Sequence, residues 1–284
     1  MKFWNIKTEK MFFIEALKNF ASPEQLFYHL TDSYFAYIPK GKGAEGQTLQ
    51  SRNALIGQYT EKWSKVFLAP IADKLGLYAV NSVVCPELGL TTQSTADLVF
   101  CTTNEIHQEA ANIKLLFEIK MSIVNNYKYE NNNIIWIGDY KSHKGNPSIL
   151  RSDSMLKAIG KSINIRVSGK GSNKIPIIIL GNSPIKRSYQ KKVDFLKQAG
   201  IIQGFISLYP NPTKDFMEET KNKGFQTFND YNKLLKNIID LINCDMNFFS
   251  SMLPKEKLGQ IITISAKEVD DVSKAEKFLT LINE

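Results

Sequence analysis

The sequence predicts an α/β protein, a central mixed β-sheet flanked by helices, and three observations carry that prediction. Short apolar runs recur between residues 77 and 209, among them LYAVNSVVC, KLLFEI, IPIIIL and GFISLY. Between them lie stretches that read as helices, notably 152–167 and the basic segment 186–199. Strands that alternate with helices in this way build a sheet with helical connections. The chain has 284 residues, 43% of them hydrophobic, enough to bury a substantial core. A single domain is expected over 1–284. It has a helical N-terminal region (1–50), an α/β core (51–210) and a helical C-terminal region (211–284).

Taken in order, residues 8–20 set Met11, Phe12, Ile14, Ala16 and Leu17 at helical spacing. A second helix is expected from Ser22, with Ser as N-cap, Pro23 in the first helical position and Glu24 in the first turn. PKGKGAEGQTLQ (39–50) reads as a Gly- and Lys-rich loop, either a mobile connection or an arm over DNA, and its glycines match no phosphate-cradling motif. From Arg52 a long helix follows, with Leu55, Ile56, Tyr59, Trp63, Val66 and Phe67 on one stripe, and Pro70 is expected to kink or end it. The next strand spans 77–85, followed by two that carry Asp97 and Glu118, joined by the polar loop TTNEIHQEAAN. NNYKYENNN reads as a polar loop before another strand, NIIWIGD. Helix 152–167, strand 175–180, helix 186–199 and strand 204–209 complete the core, and the tail from 213 reads as helices.

Lys and Arg exceed Asp and Glu by eight, a balance that suits a polyanionic partner. Cys85, Cys101 and Cys244 lack metal-ligand spacing, and with three histidines in the chain neither a zinc site nor a disulfide framework is expected. Charges at Lys2, Lys7, Glu9 and Lys10 interrupt any signal-like apolar core, and the run around IPIIIL is too short to cross a bilayer. A reducing cytoplasm fits best.

The stretch 95–122 carries the chemistry. Alternate side chains of a strand share a face, so Glu118 and Lys120 point together while Phe117, Ile119 and Met121 point the other way. Burying charge beside a run as apolar as LLFEI is costly unless the charges are paired or hold a metal. Asp97 and Glu118 on adjacent strands would offer oxygen ligands to a hard cation, with the Lys120 ammonium beside it. Such an apparatus suits attack on a phosphodiester. The plainer reading pairs Glu118 with Lys120 and leaves Asp97 capping its strand. Asp139-Tyr140-Lys141 and Glu219-Thr220-Lys221 repeat the acid-x-Lys spacing. A second register therefore combines Glu118 with Asp139 and Lys141. The flanking apolar runs and the preceding helix favour the first.

These residues resemble the PD-(D/E)xK nuclease superfamily, and within it the type II restriction endonucleases. The proline of the motif is absent, with Ala96 standing before Asp97. The resemblance implies a restriction-endonuclease-like fold and a Mg2+-dependent, sequence-specific double-stranded DNA endonuclease that leaves 5′-phosphates. Asp97 and Glu118 would hold Mg2+, and Lys120 would orient or deprotonate the water or stabilise the phosphate. Glu61, off the apolar stripe of its helix, resembles an extra acid of the metal site; an exposed pair with Lys65 is the plainer alternative. The resemblance also implies a homodimer, a cognate DNA methyltransferase in the same system and a prokaryotic cytoplasm. Two alternatives are a structure-selective repair or recombination nuclease and a non-catalytic DNA-binding protein.

Recognition residues are expected where a basic loop runs into a helix. Lys141, His143 and Lys144 lead to Arg151, Ser152 and Asp153. Arg grips guanine O6 and N7 bidentately, and Asp accepts from cytosine N4. The triplet resembles the Arg-Ser-Asp-Arg element of the restriction endonucleases that read CCGG, with Ser154 in place of the last Arg. Ordinary capping by Ser152 and Asp153 is the alternative. Lys186 and Arg187, with Lys191 and Lys192, are expected to bind backbone phosphates or to be solvated.

Overall fold

Asn5 starts the first helix, its Oδ1 accepting from the amides of Lys7 and Thr8 at 2.8 and 3.3 Å. The structure is a computed structural model that describes residues 2–30, 33–41, 50–209, 217–249 and 253–282. Most of the expected glycine-rich loop (42–49), residue 210 at the end of the expected core, and residues 211–216, 250–252 and 283–284 of the expected helical tail lie outside the described residues. Helix α1 (Ile6–Asn19) is followed by α2 (Pro23–Leu26), which starts at Ser22 as expected but lasts one turn. The chain then enters β1 (Tyr28–Leu30) and β2 (Ser33–Phe35), two strands beyond those expected. Helix α3 (Gln50–Lys74) does not end at Pro70. The carbonyl left unbonded by Pro70 belongs to Val66, which is 67% exposed, so water can satisfy it. Burial of Leu68, Ile71 and Ala72 holds the final turn in place.

Six strands form the main sheet: β3 (Tyr78–Val83), β4 (Ala96–Cys101), β5 (Ile113–Ile119), β8 (Ile177–Gly181), β9 (Gly204–Ser207) and β10 (Phe225–Thr227). Their spatial order is β10-β9-β8-β5-β4-β3. The pairs β3–β4 and β4–β5 are antiparallel, while β5–β8, β8–β9 and β9–β10 are parallel. The mixed sheet expected from the sequence is therefore present, and β10 is a strand inside a tail that had read as helix. A second, antiparallel sheet joins β1, β2, β6 (Asn126–Glu130) and β7 (Asn133–Gly138). Strand β6 corrects the reading of NNYKYENNN as a loop. Tyr127 and Tyr129 pack inward despite the polar composition, and the turn itself is confined to Asn131 and Asn132, both at positive φ (49° and 59°). Asn tolerates that conformation, which a tight hairpin needs.

Side-chain alternation sends each strand to two cores. Leu98, Phe100, Leu115 and Phe117 face α3, α1 and α6 (Tyr231–Asn243). Val99, Cys101, Leu116, Ile177 and Ile179 face α4 (Ser152–Ser168) and α5 (Gln190–Gln198). Full burial of a side chain such as Phe117 contributes about 1.5–3 kcal/mol. The expected helix over 186–199 opens as a short 3-10 turn, Arg187–Tyr189, before α5. Where one domain was expected, the chain divides into two compact units, 1–246 and 247–284. The second holds α7 (Lys255–Ser265) and α8 (Asp271–Ile282), with Phe249 edge-on to Phe278. No helix among the described residues is long and apolar enough to cross a membrane.

Glu9 ties α1 to the stretch that follows β5. It is fully buried and accepts from Trp4 Nε1 (2.8 Å), the amides of Val124 (2.7 Å) and Asn125 (3.1 Å), Asn125 Nδ2 (2.9 Å) and the Tyr127 hydroxyl (2.8 Å). Burial pushes this carboxyl up, and the donors only partly offset it.

Candidate active site

Strands β4 and β5 meet with Leu98 opposite Phe117, and extending that register by one residue brings Asp97 level with Glu118. Both side chains take the face shared with Leu116 and Val99, the face covered by α4. Asp97 Oδ2 accepts from the amide of Ile119 at 2.7 Å, so the acid continues the ladder where backbone pairing stops. On the other side, Asn81 Nδ2 donates to the Asp97 carbonyl at 2.8 Å. Ser82 sits between the Asn81–Leu98 and Val83–Ala96 pairs and turns to φ 55°. A non-glycine residue in this region carries about 1–2 kcal/mol of strain, placed here beside an acid.

Four charged side chains converge. Lys120 Nζ bonds closely to Glu118 Oε1 and lies 3.6 Å from Asp97 Oδ2. Lys161, on α4, reaches Asp97 Oδ1 at 3.2 Å and Glu118 Oε2 at 2.6 Å. Two carboxylates therefore face two ammonium groups, each ammonium touching both acids. Burial pushes the Glu118 carboxyl up and the charge of Asp97 adds to it, while the two lysines pull it back. Burial works to lower Lys161, but Asp97 and Glu118 outweigh it and hold its ammonium above the ordinary lysine range.

Of the expected site residues, Asp97, Glu118 and Lys120 are brought together. Glu61 comes near without joining them. Its helix, α3, packs on the opposite face of the sheet, and no group of three or more His, Cys, Asp or Glu side chains able to hold a metal occurs among the described residues. Its carboxyl is nonetheless pushed up to about 7, first by burial and next by the charge of Asp97. The second register is not assembled. Asp139 lies in a turn beyond β7, in the other sheet, with its Oδ1 accepting from the Lys141 amide at 2.9 Å. Lys161 is a further member of the cluster that was not among the expected site residues. The available signal was a lysine three residues after Ala158 and four before Ile165, both buried on α4.

The two acids present only oxygen donors from adjacent strands, the donor chemistry that Mg2+ takes. That ion commonly uses one or two carboxylates and completes its shell with water and phosphate. The pair therefore fits Mg2+ without a third acid.

The expected recognition residues divide into two groups. Arg151 and Asp153 stand exposed at the start of α4, joined by an ion pair at 3.4 Å, and Lys157 also meets Asp153 at 3.2 Å. Neither Ser152 nor Asp153 caps the helix, because the cap position falls on Arg151 and no side chain bonds there. Lys186 Nζ donates to Ser152 Oγ at 3.1 Å, which brings Lys186 to the start of α4, and Arg187, Lys191 and Lys192 are exposed. Lys141 and Lys144 are exposed in their turn. His143 is only 2% exposed, stacked on Tyr37 at 4.0 Å and 7°, and its Nε2 donates to the Val124 carbonyl at 3.1 Å. Its ring has no surface to offer a phosphate, and burial lowers its pKa.

The start of α4 is stitched to the end of β5. Ser148 Oγ donates to the Lys120 carbonyl, and Ser122 Oγ accepts from the Ser148 amide at 2.8 Å. Asn182, following β8, bonds to both backbone groups of Ser122 at 3.0 and 2.7 Å, and its own amide reaches Ser148 Oγ at 3.0 Å. No family model, curated protein or solved structure matches the chain.

Proposed function

We propose that the chain is a Mg2+-dependent endonuclease acting on double-stranded DNA, of the type II restriction class and with a restriction-endonuclease-like fold. The observation that carries this reading is the convergence of Asp97, Glu118 and Lys120 at the ends of two adjacent central strands. In a purely structural ion-pair network, nothing requires a strained Ser82 and a half-buried Glu61 beside it. Arg151 and the Lys186 ammonium lie at the start of the same helix that delivers Lys161. The excess of eight positive charges suits the partner.

Asp97 and Glu118 would hold Mg2+, which when bound lowers the pKa of water and offsets charge on the phosphate. Asp97 is fixed for that work by the Ile119 amide and Glu118 by its place in β5. Lys120 leads straight on from the strand, its backbone held by Leu180 and Ser148. Its ammonium is placed to orient the attacking water or to meet charge on the phosphate in the transition state. Arg151 and Asp153 can exchange their exposed ion pair, worth at most about 1 kcal/mol, for the edges of a G·C pair.

Supercoiled plasmid incubated with the full chain, with Mg2+ or with EDTA, tests the reading. Discrete bands that need Mg2+ are expected. Nicking confined to branched or flapped DNA would make it a structure-selective nuclease, and no cleavage would leave a DNA-binding protein.

A further inference from the structure

Lys161 enters the acid pair differently from Lys120. The backbone of Lys120 is pinned, its amide donating to the Leu180 carbonyl at 2.7 Å and its carbonyl accepting from Ser148 Oγ. Its Nζ also donates to the Ile119 carbonyl at 3.2 Å. Lys161 comes from a helix on the covering layer, and among the described residues its Nζ meets the two acids alone. It takes one oxygen from each, Asp97 Oδ1 at 3.2 Å and Glu118 Oε2 at 2.6 Å. A cation shared by the two acids needs an oxygen from each as well. Two carboxylates and two ammonium groups already cancel, so a dication added with both lysines in place leaves two surplus positive charges in a largely buried cluster. Such a surplus is costly in a low-dielectric site. Lys161, with no further bonds to lose, is the lysine free to leave.

We propose that Lys161 is the resident counter-ion of this acid pair: it holds Asp97 and Glu118 together in the metal-free protein, and a divalent cation binds by displacing its ammonium. The inference rests on the assignment of Asp97 and Glu118 as metal ligands. It makes Lys161 a positioning residue whose effect on metal affinity has an unusual sign. A lysine that merely supports the fold would weaken metal binding when removed. A competitor, by linkage, strengthens it.

Mn2+ binding to the full chain without DNA, followed by the electron paramagnetic resonance of free Mn2+, separates these roles. Lys161→Gln is expected to bind Mn2+ about tenfold more tightly, a size usual for coupled sites, while Lys161→Arg stays near wild type. Equal or weaker binding by a Lys161→Gln variant that melts cooperatively overturns the proposal. A second measurement uses the unaltered chain, in case that variant does not fold. Acylation of Lys161 by an amine-reactive ester, read by peptide mass spectrometry, should speed up several-fold when Mn2+ is added, since a released ammonium is more accessible. An unchanged rate with Mn2+ bound also overturns it. Mn2+ binding that is lost in Asp97→Asn but equal in wild type and Lys161→Gln refutes the role of Lys161 and leaves the metal site standing. If millimolar Mn2+ binds neither wild type nor Lys161→Gln, the metal site falls and the inference with it.

Discussion

Replacing Glu61 with glutamine should stabilise the protein at pH 8 and do little at pH 4.5. The carboxyl of Glu61 is pushed up to about 7 from 4.5, mainly by burial and then by the charge of Asp97, against the pull of Lys120 and Lys161. The folded chain thus holds this proton more tightly than the unfolded chain does. The stability tied to the protonated form is complete below about 4.5, falls as the pH rises towards about 7 and is gone above it. At 1.36 kcal/mol per pH unit the interval is worth about 3 kcal/mol. Because the side chain is half open to water, screening reduces this to about 1–2 kcal/mol. Glutamine keeps the shape of the side chain and does not titrate. Urea unfolding of wild type and Glu61→Gln at pH 4.5 and pH 8 should therefore show the variant gaining about 1–2 kcal/mol on wild type between the two conditions. A difference that does not change with pH, or one that favours wild type as pH rises, would refute the reasoning.

Asp97→Ala and Glu118→Gln should each abolish plasmid cleavage while retaining DNA binding in Ca2+; a fully active Asp97→Ala would remove the acid pair from the chemistry. Lys120→Ala should lower the single-turnover cleavage rate far more than DNA affinity, and the opposite pattern would make Lys120 a phosphate contact. Arg151→Ala should cost roughly 1–3 kcal/mol on the cognate duplex alone, whereas Lys186→Ala should weaken cognate and scrambled duplexes together and flatten the salt dependence. Equal losses on both duplexes for Arg151→Ala would assign that residue to the backbone. Glu9→Gln turns an amide nitrogen towards a cage of donors and should destabilise the fold by about 2–4 kcal/mol in urea melts; a loss below the error of the melts would show that the cage relaxes around it.

Strong local periodicity made most of the main sheet legible in the sequence. IPIIIL and LLFEI can lie only in a core, and charged residues at Asp97 and Glu118 stood out against such runs. Strand β6 was illegible because its sequence, NYKYE, is polar, and its inward tyrosines gain their partners only when Phe13 and Phe27 arrive from the N-terminus. Strand β10 is three residues long and owes its existence to β9, a tertiary pairing without local signature. Pro70 does not end α3 because the burial of Ile71 and Ala72 holds the last turn. The acid pair and Lys120 were readable because they share a strand pattern. Lys161 was not, since a contact from residue 161 to residues 97 and 118 depends on how α4 lies over the sheet. Glu9, with all its partners but Trp4 more than a hundred residues away, was hidden for the same reason.

The stitching around Ser148 gives the site a single mechanical fate. Lys120, Ser122, Ser148 and Asn182 share one hydroxyl-and-amide lattice, and Arg151 begins three residues beyond it. Local openings of a folded protein follow such cooperative units rather than single residues. The lysine at the end of β5 and the arginine at the head of α4 are therefore set to open and reclose as one, so a fluctuation that misplaces the first also misplaces the second.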